Sequence, residues 1–134
     1  MVSDEYMDVV AAIVIKEGRI LITKRKEGSF MAGRWEFPGG KVESGEKPRE
    51  ALKREIKEEL SLEIKINDLY CVKQHIYDLG VKKRTVRLFF YEAQIVRGEI
   101  KCVGCSEYIW VLHKELKDYD FVDGDAEIVR KLSE

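Results

Sequence analysis

Three glutamates, Glu55, Glu58 and Glu59, are spaced at i, i+3 and i+4 within one short segment of this sequence. On an α-helix, this spacing places the three carboxylates within side-chain reach of one another. Carboxylates so close repel each other unless a cation lies between them, and their oxygens suit hard divalent ions such as Mg²⁺ or Mn²⁺. The spacing is therefore compatible with a divalent metal site but does not decide for one by itself. A solvated acidic helix face, neutralised by neighbouring lysines and by Arg54, is the alternative.

The residues around this cluster favour the metal site. The chain carries one long spaced pattern, Gly40-x5-Glu46-x7-Arg54-Glu55-Ile56-x-Glu58-Glu59-x-Ser61-Leu62. It resembles the signature of the Nudix family, Gly-x5-Glu-x7-Arg-Glu-U-x-Glu-Glu-x-Gly-U, in which U is an aliphatic residue. Ser61 is the one departure, because the family has there a Gly that ends the helix, commonly with a positive φ. The segment from Trp35 to Glu46 resembles the MutT-type branch, which acts on nucleoside triphosphates, and the likeness extends from about Met7 to Leu132.

The resemblance implies a metal centre and a supporting ion pair. Mg²⁺, or Mn²⁺ in its place, is held by three helix carboxylates and one loop carbonyl, namely those of Glu55, Glu58, Glu59 and Gly39. Glu46 and Arg54 form the pair that orients the loop and the helix. Bound metal bridges phosphate oxygens and acidifies a water, which in MutT-like enzymes usually attacks the β-phosphorus. The expected products are a nucleoside monophosphate and pyrophosphate.

The residue that takes the proton from this water is less well defined by the resemblance. In the MutT branch, a Glu six residues before the late Trp is often a metal ligand and the proposed base. Gly104 occupies that position before Trp110, and Glu107 is the nearest acid in the same loop. Either Glu107 acts through a differently shaped loop, or a glutamate of the helix takes the proton.

The resemblance also aligns four residues with substrate contacts, which are Arg25, Glu36, Lys41 and Asp125. Arg25 and Lys41 match positions that contact phosphates, and a solvated surface charge is an equal alternative for Arg25. Asp125 matches the nucleobase contact, with a plain helix N-cap as the alternative. An ionised Asp only accepts hydrogen bonds, which suits an exocyclic amine, and Glu36 would add a second acceptor. This favours a cytidine-type triphosphate, whereas a protonated Asp125 leaves an oxidised guanine nucleotide open.

The elements that must position these residues are mostly strands. A buried strand over Met7–Ile15 and a second over Arg19–Lys24 form a hairpin, and a polar loop over Lys26–Gly33 follows. The other predicted elements are a strand over Trp35–Phe37, a turn over Pro38–Gly40, a helix over Pro48–Leu60, one or two strands over Leu62–Tyr77, strands over Thr85–Val96 and Tyr108–Val111, and a helix over Asp125–Leu132. This order predicts an α/β (α+β) fold, a mixed β-sheet sandwiched between helices, and the resemblance implies the Nudix fold.

Composition sets the remaining limits. The 134 residues suit a single domain spanning 1–134. A net charge of -1 argues against a nucleic acid polymer as partner, whereas a small nucleotide needs only a few local bases. The longest apolar run, Val9–Ile15, is too short for a bilayer, and the acidic N-terminal segment Met1–Asp8 does not suit a signal peptide, so a cytoplasmic protein without a membrane partner is expected. A monomer and a homodimer are both left open.

Three alternative functions are weighed against this hypothesis. Within the Nudix family, an ADP-ribose or dinucleoside polyphosphate hydrolase is the first, although the ADP-ribose branch typically carries a Pro after the signature and none follows Pro48. The second is a non-catalytic Nudix-fold regulator, which usually lacks the signature carboxylates that this chain retains. The third is a small zinc protein with four ligands, Cys71, His75, Cys102 and Cys105, although a second close pair of cysteines is missing.

Overall fold

The computed structural model describes residues 4–134. Its elements, in chain order, are β1 (Glu5–Lys16), β2 (Arg19–Lys24), β3 (Trp35–Glu36), β4 (Gly39–Lys41), α1 (Pro48–Leu60), β5 (Glu63–Asp78), β6 (Lys83–Arg97), β7 (Glu107–Leu112) and α2 (Ala126–Leu132). Short 3-10 turns, His113–Asp118 and Asp123–Asp125, precede α2. The expectation of a cytoplasmic protein rested on the acidic segment Met1–Asp8, and the first three residues of that segment lie outside the described residues. Among the residues that are described, no helix is long and apolar enough to cross a membrane.

Strand β1 lies at the centre of a mixed sheet with the order β3-β2-β1-β6-β5. It runs parallel to β6, from the pair Glu5–Arg84 to the pair Val14–Ala93. It is antiparallel to β2 and β4, and β7 extends the sheet by pairing with β2. The apolar run in β1 has no alternation because both of its faces are covered, as is usual for a strand inside a layered fold. The predicted mixed sheet is confirmed.

The two faces of the sheet pack against different helices. Leu52, Ile56 and Leu60 of α1 are completely buried in one core, with Val10 and Ala12 of β1 beneath them. The opposite face carries a second core, in which Ile128 and Val129 of α2 cluster with Ile13 of β1, Phe90 of β6 and Phe37, which follows β3. The helical period of three and four in α1 therefore buries one apolar stripe and leaves its glutamates beside it. The predicted sandwich of a sheet between helices is confirmed.

The ends of α1 are specified by local chemistry. Pro48 occupies the first helical position, where its missing N–H costs nothing. The Lys47 side chain makes no cap hydrogen bond, and its backbone N–H instead donates to the Glu50 carboxylate at 2.9 Å. At the other end Ser61 adopts φ 60° and ψ 33°, the left-handed conformation that the family glycine is expected to adopt. The helix therefore ends where the signature predicts, with a residue that is strained there.

Two sequence predictions need correction. The predicted turn over Pro38–Gly40 is wrong, because Gly39 and Gly40 pair with Ala11 and Val10 as part of β4. A Cβ on Gly39 would lie 1.9 Å from the carbonyl oxygen of Val10, so only glycine lets the two backbones approach this closely. Asp125 also lies in a 3-10 turn just before α2 rather than inside the helix. The segment for which one or two strands were predicted forms one strand, β5, which carries register shifts.

Candidate functional site

Arg54 on α1 joins the helix to the loop that precedes it. Its guanidinium donates to both carboxylate oxygens of Glu46, at 2.7 and 2.9 Å, and to the Lys41 carbonyl at 3.0 Å. Hydrogen bonding to Arg54 lowers the pKa of Glu46 to about 2, and Glu46 in turn raises the pKa of Arg54. The expected contact between Glu46 and Arg54 is present, with the two-pronged geometry that arginine supplies.

The same guanidinium reaches two of the helix glutamates. It donates to Glu55 at 2.9 Å and to Glu58 at 3.1 Å. Glu58 is exposed, whereas Glu55 is half-buried against β4, and burial raises its pKa although Arg54 opposes this. A Cβ on Gly40 would lie 2.3 Å from the Glu55 carboxylate. The glycine therefore leaves the space that the carboxylate occupies.

Glu59 is the most enclosed of the three carboxylates. Its Oε1 atom is buried and has no hydrogen-bond partner in the described part of the chain. Burial raises its pKa to about 8, and the neighbouring charge of Glu36 adds to this shift. An unpaired buried carboxylate is costly unless it binds a cation or a proton.

A loop over residues 98–106 closes over Glu59. The backbone N–H groups of Val103 and Gly104 donate to the Glu59 carbonyl at 2.9 and 3.1 Å. A Cβ on Gly104 would lie 2.8 Å from Cγ of Glu59. The glycine found where MutT-like enzymes often place a glutamate therefore lets this loop approach a predicted metal ligand closely.

These residues fit a divalent metal by their chemistry. The donor set consists of carboxylate oxygens, the ligands that Mg²⁺ and Mn²⁺ prefer. The unsatisfied Oε1 of Glu59 and the space left at Gly40 for Glu55 are the two structural features that such an ion would use. Within residues 4–134, no three histidine, cysteine, aspartate or glutamate side chains already converge as a ready-made ligand set. The carboxylates would therefore turn toward the ion as it binds.

A cavity of about 380 Å³ extends to Gly40, the residue that lies against the Glu55 carboxylate. Its lining includes all four predicted substrate contacts and the predicted metal ligand of the loop, namely Arg25, Glu36, Lys41, Asp125 and Gly39. The floor is apolar and comes from β1 and β6, with Met7, Val9, Ala11, Val86 and Leu88. An apolar cavity with a few polar groups at its edge has the general form of a small-molecule site.

Arg25 is fixed in an ion pair with Glu36 on one side of this cavity. One guanidinium nitrogen lies 3.0 and 3.1 Å from the two Glu36 oxygens, and Nε donates to the Phe30 carbonyl at 2.5 Å. Burial raises the pKa of Glu36, and the charge of Arg25 opposes that shift. Both side chains are half-buried, so Arg25 is paired rather than freely solvated, and its contact with phosphate stays a prediction.

Asp125 lies at the other end of the cavity and is only 3% exposed. Its Oδ2 accepts a hydrogen bond from the Phe37 N–H at 3.2 Å. Asp125 occupies the N-cap position of α2, as the alternative expected, but its side chain makes no cap hydrogen bond there. Burial raises its pKa to about 8, and the charge of Glu36 adds to the shift. The raised pKa favours the protonated carboxyl of Asp125, a form that can donate a hydrogen bond as well as accept one. Of the two forms that the sequence left open, this direction favours the protonated Asp125 over the ionised one that only accepts.

The structure does not bring Glu107 to the glutamate cluster. It lies on β7 opposite Lys24, whose Nζ is 4.0 Å from its carboxylate, and its side chain is 57% exposed. This position favours a glutamate of the helix over Glu107 as the proton acceptor, and the identity of the base stays a prediction.

Phe30, Tyr77 and Arg84 are among the cavity-lining residues that were not assigned to the site from sequence. Phe30 and Tyr77 meet edge to face with ring centroids 5.2 Å apart, and Arg84 lies 5.5 Å from the Phe30 ring. Glu5 accepts a hydrogen bond from Arg84 at 2.8 Å. The signals for these residues were a single aromatic in a glycine-rich polar loop and two polar-tipped side chains at facing strand ends.

The four-ligand zinc site is also wrong. Cys71 packs in the core beneath α2, whereas Cys102 and Cys105 pack in the core beneath α1. His75 packs against Tyr77, with ring centroids 4.4 Å apart. The sheet therefore separates the two halves of the proposed ligand set, and all three cysteines are free.

Comparison with known proteins gives one family across this chain. The NUDIX domain matches residues 5–132. The chain is 40% identical over 127 residues to the 8-oxo-dGTP diphosphatase of Escherichia coli, covering 94% of this chain and 95% of the relative. It is 32% identical over 123 residues to the CTP pyrophosphohydrolase of the same organism, covering 92% and 88%. The crystal structure of the MutT protein from Methanosarcina mazei superposes with a TM-score of 0.78 at 26% identity, covering 98% and 96%.

Proposed function

Because this chain belongs to the Nudix family and is a MutT-like hydrolase, we propose that it hydrolyses nucleoside triphosphates to nucleoside monophosphates and pyrophosphate in the presence of Mg²⁺. The observation that carries the proposal is that three acidic residues, Glu59, Glu36 and Asp125, follow one another from the helix glutamates into the cavity. Glu36 lies close enough to both Glu59 and Asp125 for its charge to raise the pKa of each. The proposed metal cluster and the cavity thus share a boundary at Glu36.

Nudix hydrolases use divalent metal, and we assign the ion here to the helix glutamates. Glu55, Glu58 and Glu59 would hold it together with the Gly39 carbonyl, and bound Mg²⁺ neutralises phosphate charge and acidifies a water. Arg54 keeps α1 and the loop of Glu46 in fixed relation, so that the carboxylates stay beside the cavity. With Glu107 facing Lys24, we assign the proton acceptor to one of the helix glutamates.

Asp125 supports a base-reading role that uses both of its hydrogen-bonding modes. Its Oδ2 accepts from the Phe37 N–H, which leaves the protonated carboxyl able to donate toward the cavity. Cytosine offers a ring acceptor beside an exocyclic amine, and Glu36 supplies a nearby acceptor for that amine. We therefore propose cytidine-type triphosphates, including modified ones, as the preferred substrates.

Oxidised guanine nucleotides are the second candidate. A protonated Asp125 is also complementary to the adjacent carbonyl and N–H of guanine. The 40% identical E. coli relative is named for 8-oxo-dGTP. The two candidates share the reaction and the metal and differ only in the base that the cavity accepts.

The test is pyrophosphate release with Mg²⁺ across ordinary and oxidised nucleoside triphosphates, ADP-ribose and a dinucleoside polyphosphate. CTP, dCTP or a modified cytidine is expected to be cleaved fastest, and Glu58→Gln is expected to abolish release. Glu127→Gln is the matched control, because Glu127 is an acid on α2 that pairs with Lys73. A lead by 8-oxo-dGTP would keep the reaction and replace the preferred base, whereas a lead by ADP-ribose would overturn the proposed reaction.

The role of Asp125 has its own pair of variants. Asp125→Asn keeps a donor and an acceptor, so it is expected to retain most of kcat/KM for the preferred substrate. Asp125→Leu keeps comparable volume but neither function, and a loss of about 10- to 100-fold in kcat/KM is expected, equivalent to about 1.4 to 2.7 kcal/mol. Equal activity of the two variants would remove Asp125 from base recognition.

A further inference from the structure

Two of the three free cysteines lie side by side in the loop over residues 98–106. The Sγ atoms of Cys102 and Cys105 are 2.6 Å apart. Cys105 is 3% exposed, whereas Cys102 is half-buried. Only a small displacement separates this contact from a disulfide bond of about 2.05 Å. The third thiol, Cys71, lies on the other face of the sheet, so the pair has no competing partner nearby.

The loop that carries this pair closes the end of α1. The Lys101 N–H donates to the Leu60 carbonyl at 3.0 Å, and the two residues between the cysteines, Val103 and Gly104, both donate to the Glu59 carbonyl. These bonds satisfy carbonyl groups that the last turn of a helix leaves without intrahelical partners. The loop thus holds the backbone of the turn that presents Glu59.

The loop is also tied to the segment that begins the cavity wall. Lys26 donates through Nζ to the Val103 carbonyl at 2.6 Å, and the Ser106 N–H donates to the Lys24 carbonyl at 2.9 Å. Lys26 directly follows Arg25, which pairs with Glu36. A covalent restraint between Cys102 and Cys105 would therefore act on a loop that contacts both α1 and the cavity wall.

We infer that Cys102 and Cys105 form a peroxide-oxidisable dithiol, and that their intramolecular disulfide fixes the loop over residues 98–106 against Glu59. The sulfur of Cys102, the more exposed of the two, attacks one peroxide oxygen, which breaks the O–O bond and gives a sulfenic acid and one water. The sulfur of Cys105 then attacks the sulfenic sulfur, the S–O bond breaks, and a second water leaves. Two thiols lose two electrons and two protons, and one hydrogen peroxide is reduced to two waters.

The first test counts thiols and requires no nucleotide hydrolysis. The protein is treated with hydrogen peroxide and then unfolded in a denaturant that contains N-ethylmaleimide, which labels every remaining thiol. The mass of the intact chain is then measured by mass spectrometry. The untreated chain is expected to take three labels, one for each free cysteine, and the oxidised chain only one, with the mass of two hydrogens lost. Cys71→Ser is expected to lose both of its remaining labels, whereas Cys102→Ser and Cys105→Ser are expected to keep two labels each.

Other products would overturn the dithiol. Full labelling after peroxide, masses with added oxygen only, or disulfide-linked dimers would each show that the pair does not close within one chain. Cys102→Ser keeps the test sound if a serine at the buried Cys105 disturbs folding, because Cys102 is only half-buried. These readouts do not depend on the substrate, so failure here is distinguishable from failure of the proposed hydrolysis.

The second test concerns the restraint on the loop. Hydrogen exchange by mass spectrometry is expected to slow about tenfold or more in the peptide over residues 98–106 once the disulfide forms, because openings that release the Val103 and Gly104 amides are restricted. Peptides of β5 that contain Cys71 serve as the internal reference and are expected to exchange unchanged. Equal exchange of the loop in both redox states would refute the part of the inference that concerns Glu59.

Discussion

Arg54 donates hydrogen bonds to both carboxylate oxygens of Glu46, at 2.7 and 2.9 Å, and thereby connects the loop before α1 to the middle of that helix. The same guanidinium also donates hydrogen bonds to Glu55 and Glu58, two of the proposed metal ligands, so Arg54 holds them in addition to Glu46. Because the donors of a guanidinium point in fixed directions, this arrangement defines the relative position of loop and helix. The proposed metal site therefore depends on a residue that we do not assign as a ligand.

Replacing Arg54 with Lys should weaken the activation of hydrolysis by Mg²⁺ more than it lowers the stability of the fold. A lysine keeps the charge but cannot hold both Glu46 oxygens and the Lys41 carbonyl at once. We expect the Mg²⁺ concentration for half-maximal hydrolysis to rise about 10- to 100-fold. Arg49→Lys is the matched control, because Arg49 lies on the same helix but donates to the carbonyls of Ile66 and Asn67. An unchanged Mg²⁺ dependence in Arg54→Lys would contradict the assigned role.

Much of this arrangement could be predicted from the sequence because it depends on local spacing. The apolar positions of α1 predicted its bounds, and the glutamates beside that stripe follow from the helical period alone. The pairing of Glu46 with Arg54 was predicted from the resemblance to the family and not from the helical period.

The rest depends on contacts between distant parts of the chain. Gly39 and Gly40 read as a turn because Pro-Gly-Gly is typical of turns, and only the approach of β1 converts them into a strand. The protonation of Asp125 likewise depends on how completely tertiary packing buries it and on the nearby charge of Glu36. Neither burial nor a strand partner so far along the chain can be derived from local propensity.

Gly40→Ala should displace Glu55 without unfolding the protein. The added Cβ would lie 2.3 Å from the Glu55 carboxylate, which is the far end of a flexible side chain and can move away. We expect a loss of hydrolysis of at least about tenfold, with a melting temperature within a few degrees of that of the unsubstituted chain. Gly45→Ala is the control, because its Cβ meets nothing within 4 Å and its only cost is the backbone strain of φ +84°. Full activity of Gly40→Ala would indicate that Glu55 does not need this position.

Ser61→Gly should stabilise the chain. Ser61 has φ 60° at the end of α1, a conformation that is unfavourable for residues with a Cβ and readily adopted by glycine. We expect the free energy of unfolding in urea to increase by about 0.5 to 1 kcal/mol. Ser61→Ala retains the Cβ and is expected to show no such gain. A lower stability for Ser61→Gly than for Ser61→Ala would show that the conformational freedom of glycine in the unfolded chain outweighs the relief of strain.

Asp125 should make the stability of the protein fall as the pH rises. Its pKa is about 8 in the folded chain and 3.8 as an ordinary aspartate, so between these values the folded state holds a proton that the unfolded state has released. The free energy of unfolding therefore falls as the pH rises from about 4 to about 8, and above that range it stays at the lower value. Asparagine cannot ionise, although it can still accept the hydrogen bond from the Phe37 N–H.

The measurement is urea unfolding of the unsubstituted chain and Asp125→Asn at pH 5, 7 and 9. We expect the fall in the free energy of unfolding from pH 5 to pH 9 to be smaller in Asp125→Asn by roughly 2 to 5 kcal/mol. The comparison between variants cancels most of the contribution of Glu59 and Glu36, whose pKa values are also raised. Asp120→Asn, at a side chain that is 82% exposed, should follow the unsubstituted chain. If Asp125→Asn follows it too, Asp125 is ionised in the folded protein, and the donor role assigned to it in base recognition is lost as well.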